Sequence, residues 1–336
     1  MREEAELQEW KDLYDVAIKI KELKPWEYLW DMDIFTLFLP EIEEPFYFSI
    51  MGRAGECYSI GVYEGFDEFE GFMRIVENED IPDHQMFRYQ NNIMCYFGDR
   101  EELTKGELKI IKDLGIKFRG RNQWIYFRSF ETGYYPHILD KQQVHNLTVL
   151  LRQLYMSLRA YIEKGIKVDF EKGNSLYRHY DDDDDLWYCY EHPLILPNKN
   201  YMRVEITDEL LIERLSKQKM NKNIIEVDTL FLNTKINDKQ FHKPVVPKLC
   251  LMADQRTGLV LSQDMLSPED DDVQCILDMV INYILQMGKP KSIYVRDDIV
   301  EGLLIDLCEK ANINLKIKGK LKAIDSFYRE FTSRGY

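Results

Sequence analysis

Three carboxylates stand at candidate strand and helix positions from which, if they converge, they could do metal-dependent phosphoryl chemistry. Asp228 lies in the middle of Asn223–Asn233 (NIIEVDTLFLN), and Asp297 closes Lys291–Asp297 (KSIYVRD). Both segments are short apolar runs that read as β-strands. Asp325, or Glu330 slightly later, falls in a C-terminal helical pattern and is the candidate third acid. Two divalent ions about 4 Å apart need several convergent carboxylates to hold them and align an in-line attack on phosphate. Asp228 and Asp297 would then bind Mg²⁺ or Mn²⁺ and the third acid would close the coordination shell, while the basic run Lys316–Lys322 could hold a phosphate backbone. A plainer reading stands beside this one. Asp297-Asp298 precedes a helix, where Asp is a common N-terminal cap, and the remaining acids would be surface groups on a retained fold. Asp254, at the start of Gln255-Arg256-Thr257-Gly258, is a turn residue.

A second pattern could bind nucleic acid. Lys117, Arg119, Arg121 and Arg128 alternate with Phe118, Trp124, Tyr126 and Phe127, and interleaved cations and aromatics can hold a single strand by charge and stacking. The charge balance argues against it. Residues 222–336 carry 16 basic and 17 acidic side chains, so −14 of the net charge of −15 sits on residues 1–221. Phosphate contacts need clustered cations, so the expectation for Lys117, Arg119, Arg121 and Trp124 is buried aromatics and arginines paired with local acids. The final segment, with Lys316, Lys318, Lys320, Lys322, Arg329 and Arg334, is locally basic.

Other chemistries find little support. The six histidines lack HxxxH or HxH spacing, and the six cysteines include no CxxC pair. Neither a structural zinc site nor a disulfide framework is expected. No nucleophile-elbow signature occurs, and Gly52-Arg53-Ala54-Gly55 suits a hairpin turn better than a phosphate cradle. The run Asp181–Asp185 lacks the glycine and spaced glutamate of a calcium loop and reads as a solvated, self-repelling segment. No apolar run reaches membrane-spanning length, and the acidic, amphipathic N-terminus does not resemble a signal peptide. A cytoplasmic protein without membrane association follows as the expectation.

The elements that must position these groups are legible from periodicity. Helices are expected over 4–23, 67–76, 104–114 and 140–164, the last with Val144, Leu147, Leu151, Leu154, Leu158 and Ile162 as its core stripe. Strands are expected over 34–39, 46–51, 58–63, 92–97 and 124–130. Between 166 and 221 the pattern weakens, apart from a helix over 207–219. The last third reads β-β-β-α-β-α-β-α. These features predict an α+β protein of two domains. Residues 1–165 form a mostly antiparallel sheet under helices, 166–221 an acidic irregular linker, and 222–336 a mixed domain. In that last domain Asn223–Asn233 is central, flanked by the Lys248–Leu266 hairpin and by Ser292–Val295.

Several strings resemble an uncharacterised two-domain bacterial family whose N-terminal domain has no assigned function: Lys24-Pro25-Trp26-Glu27, Ser49-Ile50-Met51-Gly52-Arg53, Gly61-Val62-Tyr63-Glu64-Gly65, Asp99-Arg100-Glu101-Glu102-Leu103 and Lys117-Phe118-Arg119-Gly120-Arg121. Asp254-Gln255-Arg256-Thr257-Gly258, Gly288-Lys289-Pro290 and Leu321-Lys322-Ala323-Ile324-Asp325 resemble the domain that accompanies it, also of unknown function. More distantly, 223–336 resembles the ribonuclease-H-like fold of integrases and transposases, which implies metal-ligating roles for Asp228 and Asp297. The last acid stands in a less defined setting than in that pattern. The leading expectation is therefore a non-enzymatic binding or adaptor module, with a degenerate ribonuclease-H-like domain and a protein partner. The alternative is a Mg²⁺- or Mn²⁺-dependent nuclease or nucleotidyl-transfer enzyme using Asp228, Asp297 and Asp325.

Overall fold

The computed structural model describes residues 3–78, 81–196, 202–236 and 240–333; Arg334 of the basic segment lies outside them. The protein is α+β, in two compact units. One comprises Met1–Asn198 with Lys239–Pro244, the other Lys199–Asp238 with Val245–Tyr336.

In the first unit α1 (Leu7–Leu23) buries Trp10, Leu13, Tyr14, Ala17 and Ile20. It stops where Lys24 turns left-handed before Pro25, a residue that cannot continue the helix. Strands β1 (Phe35–Phe38), β2 (Phe46–Met51) and β3 (Ser59–Glu64) follow, then α2 (Gly65–Glu77), α3 (Asp83–Tyr89), β4 (Asn92–Gly98), α4 (Lys105–Asp113) and β5 (Trp124–Phe130). The expected glycine turn joins β2 to β3, with Gly52 and Gly55 at positive φ. The long α5 (Lys141–Ile162) starts on a reciprocal cap between Asp140 and Gln143 and buries the predicted stripe from Val144 to Leu158, while Ile162 at its end is half-buried.

The segment expected to be irregular instead carries β6 (Asn174–Asp181) and β7 (Leu186–Pro193), a hairpin whose turn is the aspartate run. Sheet order is β5-β4-β3-β2-β1-β6-β7, antiparallel except between β1 and β6. Alternation along the strands splits the side chains between two faces. Phe46, Phe48, Ile50, Ile60 and Val62 meet α1 and α5 in the main core. Tyr47 and Tyr63 point the other way, where Phe69 of α2 stacks on Tyr47 with ring centroids 3.9 Å apart.

The second unit contains α6 (Glu209–Ser216), β8 (Ile224–Phe231), β9 (Lys248–Asp254), β10 (Val260–Leu266), α7 (Asp272–Met287), β11 (Ser292–Val295), α8 (Asp298–Ala311), β12 (Asn314–Ile317) and α9 (Lys322–Ser333). Its sheet runs β10-β9-β8-β11-β12. The β10-β9-β8 pairs are antiparallel and the β8-β11-β12 pairs parallel. Asn223–Asn233 and Ser292–Val295 are thus adjacent strands, as the pattern predicts. On β8, Ile225 and Val227 face the core formed with α7 and α8. Period-two alternation turns Glu226, Asp228 and Leu230 to the opposite face, which α9 covers through Ala323 and Ile324. Among the described residues no helix is long and apolar enough to cross a membrane.

Candidate functional site

Asp228 is fully buried at the centre of the second unit's sheet. Asp325, from the first turn of α9, comes to the same place, and both are held by one cation. Arg296 donates from Nε to Asp228 Oδ2 at 2.6 Å, from Nη2 to Asp325 Oδ1 at 2.6 Å and from Nη1 to the Gly319 carbonyl at 3.0 Å. Burial works against the Arg296 charge, yet Asp228 and then Asp325 overcome it and raise the guanidinium pKa. The other carboxylate oxygens are engaged too. Asp228 Oδ1 accepts from Thr229 N at 2.9 Å and Asp325 Oδ2 from Leu321 N at 3.1 Å. The strand register explains the meeting. Val227 pairs with Val295 across β8 and β11, so the next residue on each strand brings Arg296 beside Asp228.

Asp297 caps α8: its Oδ1 accepts from Ile299 N and Val300 N at 3.1 Å each. Glu330 is exposed on α9. Lys316, Lys318 and Lys320 are exposed on and just beyond the edge strand β12, where lysine blunts unwanted strand pairing. Asp254 is the turn residue expected, accepting from Thr257 N at 2.8 Å. One acid escaped the sequence reading. Glu226 is buried, and its Oε2 accepts from Ala323 N at 2.8 Å and Ile324 N at 3.2 Å. It thereby satisfies the unpaired donors that open α9; burial raises its pKa. Among the described residues no three His, Cys, Asp or Glu side chains are arranged to hold a metal ion.

The 117–124 segment divides. Lys117 and Arg121 line a cavity of about 670 Å³ in the first unit, together with Trp26, Tyr58 and Phe118. Arg119 is exposed and does not line it. Trp124 packs edge-on against Phe118 at 5.9 Å, with Arg100 over its ring. Arg128 pairs with Glu107 at 3.1 Å, and Tyr126 and Phe127 are buried.

Two further features of this unit were not apparent from the sequence. A cavity of about 410 Å³ is lined by Glu64, Glu68 and Glu131 with several side-chain amides. The contact from His137 (Nε2 to Oε1, 3.3 Å) and then Lys243 hold Glu131 down at about 2, while burial pushes Glu68 up to about 8. The outer face of β6 and β7 is a row of rings. Tyr177 lies 5.4 Å from Tyr190, His179 5.7 Å from Tyr188, and Phe38 5.5 Å from Tyr177. Leu186, Tyr188 and Tyr190 of this face are exposed.

A family model described as a domain of unknown function (DUF7309) matches residues 10–178, and a second, also a domain of unknown function (DUF6930), matches residues 211–332. No curated protein matches the chain. The two matches cover most of the chain in the order of an uncharacterised two-domain family, and with the first spanning half of its length, the chain belongs to the DUF7309 family.

Proposed function

We propose that the protein is a non-catalytic binding module. In this reading the second unit keeps a ribonuclease-H-like strand order as a scaffold, and the first unit meets a cytoplasmic protein partner. The observation that carries the reading is Arg296, seated between Asp228 and Asp325 with 2.6 Å bonds to each. A Mg²⁺ or Mn²⁺ ion would have to take the same carboxylate oxygens, and it would strand a guanidinium in a buried site. That exchange is unfavourable, since an unpaired buried charge costs several kcal/mol. The carboxylates fit the arginine and not the ion. Their role is to fasten α9 to the sheet. The exposed rings of β6 and β7 give a binding module an apolar, ring-rich surface of the kind that partners cover. Six unpaired cysteines suit a reducing compartment.

The test is a cleavage assay of the purified chain on single- and double-stranded DNA and RNA with Mg²⁺ or Mn²⁺. Wild type and Asp228→Asn should be equally inactive. Mn²⁺-dependent cleavage that Asp228→Asn abolishes would overturn the reading in favour of a nuclease.

A further inference from the structure

The cavity of about 670 Å³ in the first unit lies among the end of α1, the residues just after it and the loop before β5. Its size falls in the range of small-molecule sites, roughly 300–1,000 Å³. Three half-buried rings, Trp26, Tyr58 and Phe118, line it, and Trp26 meets Tyr58 edge-on at 5.2 Å. The loop opposite is tied down, because Asn122 N donates to Asp99 Oδ1 at 2.7 Å and Lys21 reaches across to Gln123. The walls are therefore held before any ligand arrives, which lowers the ordering cost of binding.

Lys21 has an unusual environment. Its Nζ donates to the Gln123 carbonyl at 2.8 Å and to Gln123 Oε1 at 2.6 Å, and it lies 5.7 Å from the Phe118 ring centroid. These partners are all neutral. Burial, with no compensating charge, lowers its pKa. Lys117 on the same wall forms no ion pair among the described residues, and Arg121 has only a loose 3.8 Å contact with Asp99. Lys21, Lys117 and Arg121 thus line one cavity without a close ion pair among the described residues, on the part of the chain that carries −14 of the net charge. Glu22 and Glu27 also line the cavity; Glu27 is taken by Lys24 at 3.1 Å, which leaves Glu22 as one acid against the three cations. An incompletely neutralised cation in a ring-lined cavity attracts an anion, and the rings suit a planar body attached to it.

We propose that this cavity binds a nucleoside phosphate, its base against Trp26, Tyr58 and Phe118 and its phosphate on Lys21, Lys117 and Arg121. The ligand is either a free nucleotide or the end of a nucleic-acid strand, which present the same chemistry. The proposal does not depend on the second unit being non-catalytic.

Calorimetry on the full chain would use the four nucleoside monophosphates, the unphosphorylated nucleosides, inorganic phosphate, and short single strands with and without a 5′ phosphate. At least one monophosphate should bind saturably. Its nucleoside and inorganic phosphate should each bind about tenfold or more weakly, because each keeps one half of the recognition. Lys21→Met should weaken binding at least about tenfold. The exposed pair Lys117→Gln and Arg121→Gln, whose loss cannot disturb the core, should weaken it without changing Tm. Strands bound only when they carry the 5′ phosphate would assign the site to a strand end. Strands not bound at all would assign it to free nucleotides. No saturable binding of any phosphorylated probe, or binding indifferent to both sets of substitutions, would overturn the proposal.

Discussion

Replacing Arg296 with Met removes the cation from a buried triad and leaves a similar volume behind. Asp228 has no solvent exposure, and the Arg296 side chain has 5%. The substitution therefore strands a carboxylate in the sheet. Breaking a buried pair from one side costs about 3–5 kcal/mol. Asp325 is 26% exposed and can rehydrate, so its bond should contribute only about 1 kcal/mol or less of that loss. Most of the cost should therefore come from Asp228, and adding Asp228→Asn should recover about half of it.

Tryptophan fluorescence is the useful control. All five tryptophans (Trp10, Trp26, Trp30, Trp124 and Trp187) lie in the first unit. In urea their transition should stay in place. Amide exchange at Ala323 and Ile324 should accelerate by two orders of magnitude or more, each factor of ten being about 1.4 kcal/mol. A cost below about 1 kcal/mol, or a double variant no better than Arg296→Met alone, would refute the triad as the fastening of α9.

Three further outcomes follow from the same contacts. Asp297→Ala should cost about 1 kcal/mol by uncapping α8, and Asp297→Asn only a few tenths, in urea melts read by exchange in α8. Glu226→Ala should cost about 1–3 kcal/mol and speed exchange at Ala323 and Ile324, because it frees two buried amide donors. The first unit should also respond to pH with two opposite slopes in tryptophan-monitored Tm. Glu131 sits at about 2, so its stabilisation is present above the ordinary carboxylate range near 4.5 and fades as pH falls towards 2. Glu68 sits at about 8, so the folded form holds its proton and stability declines as pH rises from about 4.5 to about 8. Glu131→Gln should flatten the acid slope and Glu68→Gln the upper one, and slopes unchanged in these variants would contradict the assignments.

The strands and helices of the second unit were legible because apolar alternation and helical stripes coincide there with clear turns. Arg296 was missed for a specific reason. The sequence draws attention to acids of matching type, and the cation that neutralises them is adjacent only through the β8–β11 register. Given that pairing, its alignment with Asp228 follows from counting one residue beyond Val227 and Val295. Asp297 was readable either way, since the same position suits a metal ligand or a helix cap, and its Oδ1 contacts show the cap. The β6–β7 hairpin was hidden by the five aspartates in its turn and by tyrosines on its open face, where an edge strand lacks the usual polar-out signature. The cavity of the first unit joins Lys21 to Lys117 and Arg121 across about a hundred residues of chain, a distance no local spacing reveals.

The most direct measurement is a crystal structure of the full chain grown with Mn²⁺, using anomalous scattering to locate the ion. The guanidinium of Arg296 should lie within hydrogen-bonding distance of Asp228 and Asp325, with no anomalous peak beside Asp228. A manganese ion coordinated by Asp228, with Arg296 displaced from between the carboxylates, would contradict the non-catalytic reading.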